Sequence, residues 1–299
     1  MNTKNNVLVL LSTYNGEKYL KQQIDSLLNQ ININLNVLIR DDGSTDNTVK
    51  ILREYADKNN CIEFYNEENV GYAKSFWNLI HKAATEYDFY AFCDQDDIWD
   101  KEKLYKAVNL LNKENQNIPL LYCSKVKSVD NEMNILSEDT FKNHKVMSIY
   151  ESLQKSTVPG CVQVFNKKAV EYLKKYNGYM ESHDWATYSI VTLFGKVIFD
   201  ENSYINYRIH GDNTIGIHNF LDDFIAKVNR FFKKSKNARS KFAKDLYNTF
   251  NYEINDKILC ENIYQLGYYR ERTSKKIKLI FNNNYKGIIF KIYVLFNKV

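Results

Sequence analysis

Residues 7–11 (VLVLL) form an unbroken apolar run, the pattern of a strand buried on both faces. The polar segment STYNGEKY follows, and then Leu20, Ile24, Leu27 and Leu28 recur at helical spacing as far as Gln30. Residues 36–40 (NVLIR) predict a second strand running into DDGSTDN, where Ser44 or Thr45 is placed to cap a helix carrying Val49, Ile51, Leu52 and Tyr55. Residues 62–65 (IEFY) predict a third strand. Gly71 then precedes a helix through Phe76, Leu79 and Ile80, and residues 89–93 (FYAFC) predict a fourth strand. Strand and helix alternate throughout, which predicts an α/β fold: a Rossmann-like, mainly parallel sheet flanked by helices.

Beyond Trp99 the pattern predicts a helix over 101–112, a strand over 120–125, and irregular chain over 126–150. Val158, Pro159, Gly160 and Cys161 open an apolar strand at 162–165, followed by helices over 167–176 and 185–194 and a strand over 196–200. From 219 onward the chain reads as helical and basic. With two prolines, no Gly/Ser-rich linker and no internal repeat, the divisions expected are 1–218, in halves of about 1–100 and 101–218, and a C-terminal extension at 219–299.

Charge sharpens that division. The net charge is +5, yet residues 219–299 carry 17 Lys/Arg against 7 Asp/Glu, so the body is acidic and the tail basic. The 5 cysteines (Cys61, Cys93, Cys123, Cys161, Cys260) are odd in number and include no CxxC pair, which argues against a disulfide framework or a zinc site and fits a reducing cytosol. The opening MNTKNN leads into an apolar run too short for a signal peptide core, and no stretch approaches the length of a bilayer span.

The chemistry gathers at strand ends, where open α/β sheets bind ligands. STYN follows the first strand, DDGS the second, and DQDD (Asp94, Gln95, Asp96, Asp97) the fourth. Three adjacent carboxylates repel one another and call for a counter-charge. A hard divalent cation shared with a diphosphate supplies one; a solvated turn capping the helix near Asp100 is the alternative.

Taken in order, LLSTYNGEKYLKQQIDSLLNQ, IRDDGSTDNT, NVGYAKSFWNLI and FCDQDDIW resemble the nucleotide-sugar half of family 2 glycosyltransferases of the GT-A fold. VPGCVQVFNKKAV, HDW and YRIHGDNTIG resemble the acceptor half of their bacterial rhamnosyltransferase-like members, so the likeness covers about residues 5–217. It implies an inverting transfer from a nucleoside diphosphate sugar (dTDP-rhamnose or a UDP-hexose), aided by Mg²⁺ or Mn²⁺. Thr13, Tyr14, Asn15 and Asp42 would then face the nucleotide, with Asp41 supporting the loop and Lys74 and Arg208 approaching the phosphates. Asp94 would lie near the ribose and sugar, and Asp96, Asp97 and His210 would hold the metal. Asp184 would be the general base on the acceptor hydroxyl, with His183 orienting it or touching the acceptor; the alternative is that Asp184 caps a helix.

Two basic, aromatic stretches, 225–244 and 275–298, read as membrane-surface helices or as solvated helices packed on the body. The acceptor implied is a glycan or polyprenyl-linked saccharide for bacterial surface polysaccharide, met at the inner face of the cell membrane by a peripheral cytoplasmic protein. Nucleic acid is not an expected partner, because no basic and aromatic sheet-face signature is present. A sugar-nucleotide synthase or nucleotidyltransferase is the competing enzyme class, but STYNGEKY lacks the Gly-rich phosphate loop such enzymes carry. A non-catalytic nucleotide- or nucleic-acid-binding protein is the third reading.

Overall fold

A computed structural model describes residues 4–141, 146–155, 158–210 and 237–299. The run at 7–11 lies inside β1 (Asn6–Thr13), which pairs in parallel with β2 (Asn34–Asp41). β3 (Ile62–Asn66) continues that side, and β4 (Phe89–Cys93) pairs in parallel with the other edge of β1. The crossovers are α1 (Leu20–Leu28), α2 (Thr48–Lys58) and α3 (Tyr72–Lys82). With helices over the sheet, β1 and β4 are apolar on both faces rather than alternating, and every residue of β4 is buried.

The chain then forms β5 (Ile98–Trp99), α4 (Lys103–Leu111) and β6 (Leu120–Ser124). After β7 (Lys127–Val129), β8 (Ile135–Ser137) and α5 (Ile149–Ser152), β9 (Val164–Asn166) runs antiparallel between β4 and β6. α6 (Lys167–Lys175), α7 (His183–Phe194), β10 (Lys196–Asp200) and β11 (Ile205–Arg208) follow. Among the described residues the main sheet has the order β10, β6, β9, β4, β1, β2, β3, and a second sheet has the order β5, β11, β7, β8.

Three local expectations change. Residues 126–150 contain β7, β8 and α5, each only three or four residues long and so too short to show a period. The strand expected at 162–165 begins as a 3₁₀ turn, Gly160–Val162, because the Gln163 N–H closes on the Gly160 carbonyl at 2.8 Å. The cap of α2 is Asn47; Ser44 binds Asp41 instead.

The chain divides into two compact units, and the division is not the one at 218/219 expected from composition. The first holds both sheets, up to His210. The second gathers Met147–Lys155 and Lys175–Glu181 with the C-terminal helices α8 (Ala238–Phe250), α9 (Lys257–Tyr268), α10 (Thr273–Ile280) and α11 (Ile288–Leu295). Aromatic contacts explain the two additions. Tyr176 packs on Phe242 with ring centroids 5.5 Å apart, and Tyr150 packs on Tyr285 at 5.3 Å. Among the described residues no helix is long and apolar enough to cross a membrane.

Gly195 joins α7 to β10. A Cβ there would meet the Pro119 carbonyl oxygen at 1.8 Å, and that atom is backbone that cannot swing aside. Gly195→Ala is therefore expected to lower stability by about 1–3 kcal/mol, the range for forced overpacking. Urea unfolding measures this, and a midpoint equal to wild type would show that the β6–β10 edge yields.

Candidate active site

Three loops meet at the carboxyl ends of β1, β2 and β4. At the tip of β1, Thr13 turns inward and donates to Asp41 Oδ1 at 2.9 Å. Asp41 also accepts from the Ser44 amide at 2.9 Å and the Ser44 hydroxyl at 2.5 Å, so its carboxylate is fully engaged in closing the β2 turn. Thr13 and Asp41 are both buried. The preceding residue, Ser12, is the less buried of the pair and meets Ser75 at 2.5 Å. Sequence reading passed over Ser12; strand alternation was the signal that separates it from Thr13.

Asp42 is likewise an inward group. It pairs with the buried Arg40 guanidinium and accepts the Val70 and Gly71 amides at 2.9 Å each, which fixes the entry to α3. Arg40 completes the cluster by donating to Ser75 at 3.1 Å and the Glu68 carbonyl at 2.9 Å. Lys74 stands exposed in the first turn of α3.

Tyr14 keeps its ring about half exposed, while its backbone is gripped by Gln95. The Tyr14 N–H donates to Gln95 Oε1 at 2.8 Å, and Gln95 Nε2 donates to the Tyr14 carbonyl at 3.0 Å. Gln95 lies so close that a Cβ on Gly16 would fall 2.3 Å from its Oε1. Asn15, at φ 48°, ties the same loop to the next: its amide donates to Ser44 Oγ at 2.9 Å, and its Oδ1 accepts the Thr45 amide at 2.9 Å.

The DQDD carboxylates separate by depth. Asp97 is buried; its Oδ1 accepts the Arg208 amide at 3.1 Å, while its Oδ2 has no hydrogen-bond partner among the described residues. Asp96 Oδ2 meets His210 Nε2 at 2.9 Å. Carboxylate oxygens of Asp94 and Asp97 and the Cys161 sulfur lie within 4.8 Å of one another. Sequence reading grouped Asp96, Asp97 and His210; the structure pairs Asp96 with His210 and sets Asp94 and Asp97 over Cys161. Burial, then repulsion from Asp96 and Asp184, pushes Asp94 up to about 7, and burial and the same neighbourhood raise Asp97 well above the carboxylate range. Burial also raises the Cys161 thiol well above its usual value, so the sulfur stays protonated.

A counter-charge lies underneath. Lys103, in the first turn of α4, is buried, donates to the Cys161 carbonyl, and places Nζ 3.1 Å from the Trp99 ring centroid. Burial pulls it down to about 8. Sequence reading missed it, although a lysine in register with Ala107 and Leu111 on the apolar stripe of a helix was a visible anomaly. Arg208 is also internal. It donates to the Asp96 carbonyl at 3.1 Å, the Asn131 carbonyl at 3.0 Å and Gln22 Oε1 at 2.7 Å, and lies over the Tyr19 ring. Its guanidinium is buried and braces the acidic loop.

Opposite, α7 begins at His183. The ring stacks on Phe76 at 4.0 Å and meets Phe92 edge-on at 4.7 Å, and neither ring nitrogen has a partner among the described residues. Burial lowers its pKa to about 3, so it is neutral. It packs on these rings, and among the described residues neither nitrogen hydrogen-bonds Asp184. Asp184, one residue on, accepts the Trp185 amide at 2.7 Å; burial raises its pKa, and its charge is felt at Asp94.

Residues 8–173, more than half the chain, match the family described as glycosyl transferase family 2, and the chain belongs to that family. It is 30% identical over 221 residues to the dTDP-rhamnosyl transferase RfbG of Shigella flexneri, covering 69% of this chain and 73% of that protein. It is 25% identical over 234 residues to an uncharacterized glycosyltransferase of Rickettsia typhi, covering 76% and 72%. Two solved structures share the fold. S. aureus TarS 1–349 in complex with UDP-GlcNAc has a TM-score of 0.56 at 18% identity, over 94% of this chain and 89% of that one. The mannosyltransferase PcManGT of Pyrobaculum calidifontis, in complex with GDP-Man and Mn²⁺, has a TM-score of 0.51 at 17% identity, over 93% and 73%. The fold is GT-A and the chain is a glycosyltransferase, so the nucleotidyltransferase and binding-protein readings fall away.

Two outcomes are expected of this geometry. Gln95→Ala removes both bridges to Tyr14, each worth about 0.5–1.5 kcal/mol. Amide exchange at Tyr14 should quicken severalfold, and unchanged exchange would mean the loop is held elsewhere. Burial and nearby carboxylates raise Asp94 to about 7 in the fold, against about 3.9 for an unfolded aspartate, so its stabilising contribution is present below that lower value and is lost as pH rises through about 7. In EDTA, the stability of Asp94→Asn relative to wild type should therefore rise across that window in urea titrations; a constant difference would contradict the assignment.

Proposed function

We propose that this glycosyltransferase catalyses an inverting, cation-dependent transfer from a nucleoside diphosphate sugar, dTDP-rhamnose or a UDP-hexose, to a glycan or polyprenyl-linked saccharide. The observation that carries the proposal is that Asp184, at the start of α7, lies near enough to Asp94, just past the end of β4, for its charge to help raise the Asp94 pKa. One carboxylate belongs to the donor side and one to the acceptor side, as an in-line displacement requires.

The residues fit a hard divalent cation. Asp96 and His210, in contact at 2.9 Å, offer a carboxylate and an imidazole, and Asp97, whose Oδ2 has no hydrogen-bond partner among the described residues, offers a second carboxylate. The Arg208 amide, donating to Asp97 Oδ1, would hold that carboxylate in place. Mg²⁺ or Mn²⁺ held there would stabilise the charge developing on the leaving diphosphate.

Asp184 takes the acceptor hydroxyl proton as the acceptor oxygen bonds to the anomeric carbon. The bond from that carbon to the diphosphate oxygen breaks, and the electron pair leaves with the nucleoside diphosphate. The raised pKa of Asp184 brings the base closer to neutrality, where general-base catalysis is most effective. Tyr14, ring outward on a loop clamped by Gln95 and Asn15, is placed to stack on the base. The dTDP-rhamnosyl transferase relative supports a deoxyhexose donor. The product would enter bacterial surface polysaccharide, with the enzyme acting as a peripheral protein at the inner face of the cell membrane.

A panel of nucleotide sugars, assayed with Mn²⁺ and with EDTA, tests the reading. One donor should turn over only with metal, and Asp96→Ala should abolish that turnover. Asp184→Asn should lower kcat by about 10²–10⁴, the usual contribution of a general base, with donor KM little changed. Absence of turnover and binding for every donor, with the protein folded, would overturn the proposal.

A further inference from the structure

Of the two basic stretches, the described part of the first is not a free surface. Residues 225–236, with Lys227, Arg230, Phe231, Phe232, Lys233, Lys234 and Lys236, lie outside the described residues. In α8, Phe242 is buried in the core, Lys241 lies over the Tyr179 ring at 5.3 Å, and Lys244 lies over the Tyr268 ring at 4.8 Å.

The second stretch is different. Along α11 and its last turn, Ile288, Ile289, Ile292, Leu295 and Phe296 are between 42% and 76% exposed. Their spacing, i, i+1, i+4, i+7 and i+8, sets them on one helical face. The opposite face, Phe290 and Val294, is buried, and Phe290 stacks on Tyr285 at 5.5 Å. α10, which packs against α11, adds exposed Ile277 and Phe281 one turn apart while Leu279 points inward. Both helices thus use one apolar side for the unit's core and leave a second apolar side to solvent. An apolar patch of this kind marks an interaction surface.

Charge identifies the occupant. Residues 272–299 contain 7 Lys/Arg and no Asp/Glu. Lys291 lies between Ile288 and Leu295 at i+3 and i+4 spacing, and Lys276, Lys286 and Lys291 form no ion pair among the described residues. A second copy seated on this face would set positive charge against positive charge, because a two-fold interface brings each patch onto itself. Anionic lipid headgroups complement it, and the apolar stripe suits shallow insertion at the acyl boundary.

We propose that the α10–α11 face, with Ile289, Ile292 and Leu295 as its apolar anchors and Lys286 and Lys291 as its anion contacts, docks the enzyme on an anionic lipid bilayer. This deepens the peripheral-membrane part of the proposed function and is independent of the sugar chemistry.

Flotation of the full chain with phosphatidylglycerol-containing vesicles and with pure phosphatidylcholine vesicles tests it. Binding should be confined to the anionic vesicles and should weaken with salt. Ile289→Ser with Leu295→Ser should reduce binding about tenfold or more, through the lost apolar area. Lys286→Glu with Lys291→Glu should reduce it at least about twentyfold, since each cation near such a surface is worth about fivefold. These positions lie outside the catalytic site, so metal-dependent donor turnover should be retained, which separates failure of this proposal from failure of the sugar-transfer reading. Equal binding to both vesicle types, no binding, or wild-type binding by either variant would overturn the proposal. So would a dimer of wild type in light scattering that Leu295→Ser dissolves, since the face would then join two copies.

Discussion

Carboxylates buried at the end of a strand are tolerable only if something of opposite charge arrives, and the structure is arranged around that constraint. Asp97 is buried and Asp94 half-buried beside the buried Lys103, and burial, then repulsion among the carboxylates, raises both their pKa values. A hard cation bound there would displace the protons that the raised pKa values keep on these carboxylates. Lys103 also donates to the Cys161 carbonyl, so the same buried cation fixes the turn that faces the acidic loop. Arg208 holds the loop from the other side through the Asp96 carbonyl.

Around that centre, many of the conspicuous polar residues have structural work. Asp41, Asp42, Arg40 and Asn15 knit the β1 and β2 loops and the start of α3 into one wall. Gln95 clamps the wall to the acidic loop through the Tyr14 backbone. What stays turned outward is small in number: the Tyr14 ring, Lys74 and the half-buried pair Asp96 and His210. Such division of labour suits transition-state stabilisation, where a few groups act and the remainder prevent them from moving.

His183 illustrates how chemistry implied by a motif can be diverted by packing. Beside Asp184 it reads as an acid–base partner, but its ring is enclosed by Phe76, Phe92 and the Gly160 turn, where a charge would be costly. A neutral imidazole there keeps α7 against the sheet and so positions Asp184.

The sequence by itself determined the strand–helix alternation, because β1 and β4 are buried on both faces and their apolar runs are unbroken. It also determined the strand-end location of the polar loops, since a loop following such a run must emerge at the sheet edge, and the ordered motifs were sufficient to indicate the family. The tertiary structure alone decided which side chain within each loop faces outward. Thr13 and Ser12 are neighbours with similar hydroxyls, and only the β1–β2 register sends one to Asp41 and the other to Ser75. It alone decided that 147–155 and 175–181 join the C-terminal helices, through aromatic contacts between residues 66 and 135 positions apart that no local period encodes. Local pattern reports which residues avoid water; which polar group meets which is set by contacts made only after the chain has folded.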